Sequence, residues 1–384
     1  MHIALFDYQT VRTNAIGNCN WLIINGLNDE HDFTVFTLNF ENPNPYRVRF
    51  VRMPVPGRPL FVLFAAYHVI APLMLWHKGN QGKHYDQVQT IESNLVIGGS
   101  VVYAHFCHRA YLEEHWEDTR PPGIRGVARW LDHKLHALLE PLALRRASHV
   151  VVPSRGLERE LLRLYPKAVE GKIRVIPNPI DTERMRRPAD YNRAEGRAGL
   201  GFKDDELVMI FVAAGQFERK GLPLLLEAMR QVSNPRVRLV VVGGQPGVLQ
   251  SYTERARALG LGEQVQFVGF QKDIRPYLWA ADLFTLPSYY EVFPLVALEA
   301  AAAGVPLLVT PLNGVEEMLV EGQNGWCAER SAPALAERIQ HALEHRDQLQ
   351  AMGQQAVESV KDYTEQKFVE NWRAFYRALE AEQV

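Results

Sequence analysis

The stretch Pro287-Ser288-Tyr289-Tyr290-Glu291-Val292-Phe293-Pro294-Leu295-Val296-Ala297-Leu298-Glu299-Ala300 decides how this chain is read. Glu291 falls in a loop just past an apolar strand at 282–286, and Glu299 falls inside a short helix that runs to Gly304. Between them lies a helix start, where free backbone N–H groups and the macrodipole favour an anion. Two carboxylates flanking an anion-binding helix start suit a ligand with hydroxyls at both ends and phosphate in the middle. A sugar nucleotide is such a ligand.

Outward from this stretch, short apolar strands alternate with amphipathic helices, the pattern of an α/β fold with parallel sheets. The first half carries strands at 2–6, 33–38, 87–90, 100–105, 149–153 and 173–176. A turn-rich break follows, Pro177-Asn178-Pro179-Ile180-Asp181. The pattern then restarts with strands at 207–213, 237–242, 265–268, 283–286 and 306–309, and helices at 223–231, 251–259, 274–280 and 295–303. This predicts two α/β domains, 1–178 and 179–363. The last helix, about 364–380, carries Phe368, Trp372, Phe375 and Leu379 at helical spacing, a core-packing stripe.

The chain of 384 residues is long enough for two cores, and its three scattered cysteines form no disulfide framework, which points to a reducing cytosol. The start reads as a strand, with no basic leader. Residues 1–178 carry a net charge of +4 and the remainder −6, so the first half favours an anionic surface or substrate. Residues 59–76 are strongly apolar and follow Arg47, Arg49, Arg52 and Arg58. The run is short for a membrane span and is interrupted by His68 and Pro72. A kinked core helix fits it best, and an interfacial helix against a membrane is the alternative.

At the start of the second domain a strand ends in Gly215-Gln216, and Arg219-Lys220-Gly221 then precedes a helix. Ligands of open α/β sheets bind outside the carboxyl ends of strands. Two cations there suit a diphosphate, Arg as a fork and Lys as a point charge; taken alone, the pair also reads as solvated surface charge. Gly215 is no dinucleotide fingerprint, because the G-x-G-x-x-G spacing is missing.

Arg219-Lys220-Gly221, Val242-Gly243-Gly244, Val268-Gly269-Phe270, Leu286-Pro287-Ser288 and the Glu291/Glu299 pair occur in a fixed order. This order resembles the second domain of the retaining glycosyltransferases of the GT-B fold, the large family-four group. Residues 177–181 resemble that family's interdomain Pro-Asn-x-x-Asp segment. The resemblance implies two Rossmann-like domains facing each other across a cleft, an acceptor-side domain 1–178 joined by 364–384, and a donor-binding domain 179–363. It implies that Lys220 with Arg219 holds the donor diphosphate, that Glu299 accepts from the ribose hydroxyls, and that Glu291 binds the transferred sugar. It further implies phosphate-facing backbone near Phe293, Pro294 and Leu295, and a base site at Val242, Gly243 and Phe270. Two departures stand out. Gln216 replaces the family's usual Arg after Gly215, and Phe293-Pro294 replaces Phe-Gly, removing one phosphate-facing N–H.

In the first domain Thr13-Asn14-Ala15-Ile16-Gly17-Asn18 stands where the family has a Gly-rich loop beside the donor phosphates, with Gly17 alone of the usual pair. Tyr103-Ala104-His105-Phe106-Cys107-His108-Arg109 ends another strand. The family's sugar-facing histidine is assigned to His108, past the strand end, with His105 as the alternate. A metal set of His105, Cys107 and His108 is disfavoured by its spacing. No Asp-x-Asp metal motif is present. The expectation is therefore a metal-independent hexosyltransferase, with a UDP- or GDP-sugar as donor and no further cofactor or nucleic-acid partner. A glycan or lipid-linked acceptor is expected at the inner face of the cell membrane, in cell-envelope glycan or glycolipid synthesis. A sugar-nucleotide epimerase on the same fold and a catalytically silent sugar-nucleotide-binding protein are the competing readings.

Overall fold

Strands whose apolar residues run without alternation bury both faces, the signature of parallel sheets covered on each side. In the computed structural model, which describes residues 1–57, 60–80, 84–96 and 98–383, such strands form two sheets in two units, Met1–Pro179 with Glu365–Val384, and Ile180–Thr364.

Unit 1 contains β1 (His2–Phe6), β2 (Gln9–Thr10), β3 (Asp32–Thr37), β4 (Asn39–Phe40), β5 (Arg49–Arg52), β6 (Gln87–Ile91), β7 (Val101–Tyr103), β8 (His149–Val152) and β9 (Ile173–Val175). Seven of them form a parallel sheet in the order β5-β3-β1-β6-β7-β8-β9, and β2 pairs with β4. Successive side chains of β1 face opposite ways. Ile3 and Leu5 pack with Ile23 and Ile24 of helix α1 (Ala15–Leu27) and with Trp372 and Tyr376. Ala4 and Phe6 pack with Leu63, Tyr67 and Ala71 of helix α2 (Leu60–Asn80). Helix α3 (His108–Glu114) and the 23-residue helix α4 (Ile124–Arg146) follow β7.

Unit 2 has the strands β10 (Leu207–Val212), β11 (Val237–Val242), β12 (Val265–Gly269), β13 (Leu283–Leu286), β14 (Leu307–Val309) and β15 (Gly325–Cys327), parallel in the order β12-β11-β10-β13-β14-β15. Helices α5 (Leu222–Val232) and α6 (Leu295–Ala302) follow β10 and β13. The final helix, α7 (Glu365–Gln383), returns to unit 1, and its Phe368, Trp372, Phe375 and Leu379 join the unit 1 core. It approaches α1 so closely that a Cβ on Gly26 would lie 2.5 Å from Val369 Cγ1.

Several elements escaped the periodicity reading, β5, β15 and α4 among them. Edge strand β5 is Arg-Phe-Val-Arg, half exposed and charged, as edge strands are. Edge strand β15 spans only three residues. Helix α4 lacks a clean apolar stripe, because it packs on one side and exposes Ile124, Val127, Trp130, Leu131 and Leu138 on the other. The apolar run at 59–76 forms most of α2, with Arg58 and Pro59 outside the described residues. One face is core, while Val69, Leu73 and Trp76 are exposed. No described helix is long and apolar enough to cross a membrane.

Trp372 is fully buried against Tyr103, Phe375 and Tyr376. Trp372→Ala is expected to destabilise unit 1 by about 3–5 kcal/mol, read as a fall in its denaturant midpoint. An unchanged midpoint would show that α7 does not hold this core together.

Candidate functional site

Every residue singled out in unit 2 lies at or just past a strand end or on the helix that follows one, where open α/β sheets bind ligands. The loop after β10 turns at Gln216, which adopts the left-handed region at φ 58°, a conformation few non-glycine residues take. Its side chain has a local use: Arg219 Nε donates to Gln216 Oε1 at 2.7 Å. Arg219 Nη1 also donates to the Tyr290 carbonyl at 2.8 Å and lies 3.8 Å from Glu291 Oε1. Lys220 Nζ donates to the same Glu291 oxygen at 2.5 Å. The Ser288 hydroxyl lies 2.9 Å from that oxygen and 2.9 Å from the Arg219 carbonyl. Gln216, the departure from the family pattern, thus holds Arg219, and both cations meet at one carboxylate.

Burial works to raise the Glu291 pKa, but Lys220 and Arg219 outweigh it and hold the carboxyl below its ordinary value. Burial pulls the Lys220 ammonium down, and Glu291 opposes that pull. The pair is therefore ionic, each charge sustaining the other.

Glu299, on α6, has a different environment. Burial pushes its pKa up to about 7, with only the Arg184 charge opposing. Among the described residues its carboxylate has no hydrogen bond or ion pair. Pro294 is the N-cap of α6, just outside its first turn. Leu295 and Val296 begin the helix, where N–H groups have no intrahelical acceptor. Phe293 is buried against Gly314, where a Cβ would lie 2.6 Å from its ring.

Val242 is buried at the end of β11. Gly243 follows at φ 104°, where a Cβ would lie 2.1 Å from the Ala213 carbonyl oxygen, so only glycine fits. Gly215 has open space around its Cα. Phe270, beyond β12, is 72% exposed, an aromatic face left in solvent beside a strand end.

In unit 1 the structure changes the reading of Gly17. It lies in the first turn of α1, not in a loop, and its N–H is given to Asn14 Oδ1 at 2.9 Å. Glycine is required there because a Cβ would lie 2.4 Å from the Gln9 carbonyl oxygen. His105 and His108 are both buried. His105 Nε2 lies 3.3 Å from Asn178 Oδ1, which also accepts from the Tyr103 hydroxyl at 2.6 Å. His108 sits in a histidine cluster, with Nδ1 2.9 Å from His133 Nδ1 and Nε2 3.4 Å from Glu92 Oε2, and its ring stacks on His136. Burial lowers the His108 pKa to about 3, and burial with the His108 charge lowers that of His136 to about 2. Burial raises Glu140, which accepts from the His108 N–H, to about 7.

Sequence reasoning missed Arg184, Ser288, Glu92, His133 and His136. Ser288 stood inside a quoted motif without a role. The others meet their partners only through tertiary contacts, which no local spacing announces.

The profile described as glycosyl transferases group 1 matches residues 192–359, and that of glycosyltransferase family 4 matches residues 17–184. An uncharacterised glycosyltransferase of Methanocaldococcus jannaschii is 25% identical over 339 residues, 85% of this chain and 84% of its own. A D-inositol 3-phosphate glycosyltransferase of Nocardia farcinica is 34% identical over 230 residues, 57% of this chain and 50% of its own. Matches to relatives of that name span only 40% to 60% of those proteins' length. The solved Anabaena protein Alr3699/HepE, in complex with UDP-glucose, superimposes with a TM-score of 0.72 at 19% identity, covering 98% of this chain and 100% of its own. With the two profiles taking in both units and the parallel sheets matching solved relatives throughout, the chain belongs to the family-four glycosyltransferases of the GT-B fold.

Proposed function

We propose that the chain transfers a hexose from a nucleoside diphosphate sugar to an acceptor hydroxyl, with retention at the anomeric carbon. The observation that carries this reading is the convergence of Arg219 and Lys220 on Glu291 at the strand ends of unit 2. In this reading the two cations take the donor diphosphate and stabilise its charge as it leaves. Glu291 keeps Lys220 charged within its buried setting and turns its remaining acceptor capacity to hydroxyls of the sugar. Glu299, whose carboxylate has no hydrogen bond or ion pair among the described residues, accepts from the ribose hydroxyls. The backbone around Phe293, Pro294 and Leu295 faces the phosphates, with Gly215 and Gln216 supporting, and Val242, Gly243 and Phe270 receive the base. The Alr3699/HepE complex supports a UDP-sugar as the first donor to test.

Glu291 is not placed to donate a proton, because both neighbouring cations hold it ionised, and its Oε1 is engaged by Lys220, Arg219 and Ser288. The leaving diphosphate itself takes the acceptor proton on the same face. Positioning and protein cations, rather than a metal at the diphosphate, then supply the rate. Of the two histidines, we assign the sugar-facing role to His105, since both ring nitrogens of His108 lie close to His133 and Glu92. Gly17 serves the approach of residues 9–11, its own N–H being taken by Asn14.

The acceptor is proposed to be a lipid-linked or envelope glycan at the cytoplasmic face of the membrane. Val69, Leu73 and Trp76 of α2, and Ile124, Val127 and Trp130 of α4, expose apolar surface on two neighbouring helices of unit 1, beside Arg125 and Arg129. An apolar stripe with flanking arginines suits an anionic lipid surface.

Lys220→Ala is expected to lower the transfer rate from a UDP- or GDP-sugar at least about 100-fold with the fold intact by circular dichroism; normal transfer by this variant would sink the assignment. The pKa of Glu299 near 7 gives a second expectation. The carboxyl is protonated below that value and ionised above it, and the ionised form accepts both ribose hydroxyls. The Kd for a UDP-sugar should therefore fall as pH rises from about 6 to 8, and Glu299→Gln should bind weakly with a flat profile. Equal pH dependence in wild type and variant would remove Glu299 from the ribose. For the acceptor, the chain should float with anionic vesicles and be released by salt; a chain that never floats would end the membrane reading.

A further inference from the structure

Unit 1 holds a cluster of ligating side chains that the proposed transfer does not use. We propose that Glu92, His108 and His136 bind a divalent transition-metal ion of the Zn²⁺ class, where the sequence reading expected no metal.

The three ligands come from three separate elements, Glu92 just past β6, His108 opening α3 and His136 within α4. Glu92 Oε2 lies 3.4 Å from His108 Nε2 and 4.0 Å from His136 Nδ1, and one ligand atom from each lies within 4.8 Å of the others. Bonds of about 2.0–2.1 Å to a tetrahedral ion place its ligand atoms about 3.3 Å apart. The Glu92–His108 pair already stands near that separation, and the Glu92–His136 pair is within about 1 Å of it. The rings of His108 and His136 are stacked at 4.1 Å with 5° between their planes. One ring must therefore turn about χ2, a broad torsion for imidazole. The Ser93 hydroxyl, 3.2 Å from His136 Nδ1, must turn away with it.

The surroundings favour a cation. His133 Nδ1, 2.9 Å from the far nitrogen of His108, orients that ring as partners of metal-bound imidazoles do. Glu140 accepts from the His108 N–H at 2.5 Å and so fixes the start of α3 beside the cluster. Glu92 itself holds φ 49°, the left-handed region that a glutamate adopts only when its surroundings enforce it. Two imidazoles and one carboxylate select Zn²⁺, Co²⁺ or Ni²⁺ over Mg²⁺ or Ca²⁺, and a fourth position stays open to water. The ion would pin α3 and α4 to the end of β6. It belongs to unit 1 and is not asked to neutralise the diphosphate held by Arg219 and Lys220 in unit 2.

The test is metal uptake by the full chain after chelator treatment and dialysis against micromolar Co²⁺ or Zn²⁺. About one equivalent per chain is expected, with the visible absorption of tetrahedral Co²⁺ and a rise in Tm on adding Zn²⁺. Both signals should vanish in His108→Ala/His136→Ala and in Glu92→Gln, a near-isosteric change that guards against misfolding. They should persist in His341→Gln/His345→Gln, which removes a half-buried histidine pair whose rings lie 4.2 Å apart. Uptake far below one equivalent by wild type would overturn the proposal. So would equal uptake by the His108→Ala/His136→Ala variant, or loss of the signal in the His341→Gln/His345→Gln control.

Discussion

The close approach of two backbone segments governs unit 2. Gly221 sits at φ 80°, and a Cβ there would lie 1.9 Å from the Pro287 carbonyl oxygen. Since β10 and β13 are neighbours in the sheet, the loops that leave their ends run side by side, and only a glycine lets them touch. The contact is then locked by polar bonds. Tyr289 N–H donates to the Arg219 carbonyl at 2.8 Å, and Arg219 Nη1 returns a bond to the Tyr290 carbonyl. The placement of both cations against Glu291 follows from this backbone geometry. A side chain at 221 would push the loops apart and strand the charges.

The charges held by that contact do not stabilise the fold cheaply. Removing an ammonium and a carboxylate from water costs several kcal/mol each, and their attraction recovers it only with good geometry and further hydrogen bonds. Ser288 and Arg219 supply some of those bonds. A hydrophobic pair of similar volume would fill the same space at lower electrostatic cost. In the function we propose, the ionic arrangement gives instead a cation already desolvated and oriented for an anion, which is how preorganised sites stabilise developing charge.

The parallel architecture was legible because buried strands write themselves as apolar runs: Leu-Val-Met-Ile-Phe at 207–211 and the Val-rich run 237–242 leave no room for another reading. The unit 2 site was legible for a related reason. Its residues sit at fixed offsets from strand ends, so Gly221, Glu291 and Glu299 carry their positions in the local sequence. Unit 1 was less legible. Gly17 looked like a loop glycine, whereas the constraint on it comes from Gln9 and Val11 packing against the first turn of α1. The histidine cluster draws on residues 92, 108, 133 and 136, whose meeting depends on how α4 lies against β6 and α3. A stretch such as Ile124–Arg146, which exposes apolar side chains among its arginines, blurs the very periodicity by which helices are recognised.

Glu291 and Glu299 show how far environment outranks residue type. Both are glutamates partly withdrawn from water near one helix start, yet their carboxyls move in opposite directions. Glu291 is driven down because two cations lie within 4 Å of one oxygen. Glu299 is driven up because burial acts on it with only Arg184 in opposition. An acid/base couple needs two groups that exchange protons around a reacting bond, and a carboxylate clamped between Arg219 and Lys220 is poorly suited to that. A carboxyl poised near neutrality, with no hydrogen bond or ion pair among the described residues, has its acceptor capacity still to spend, which is why we assign it to ligand hydroxyls. The difference between these two glutamates is therefore electrostatic in origin: cations fix Glu291 as a permanent anion, while Glu299 is governed by its burial.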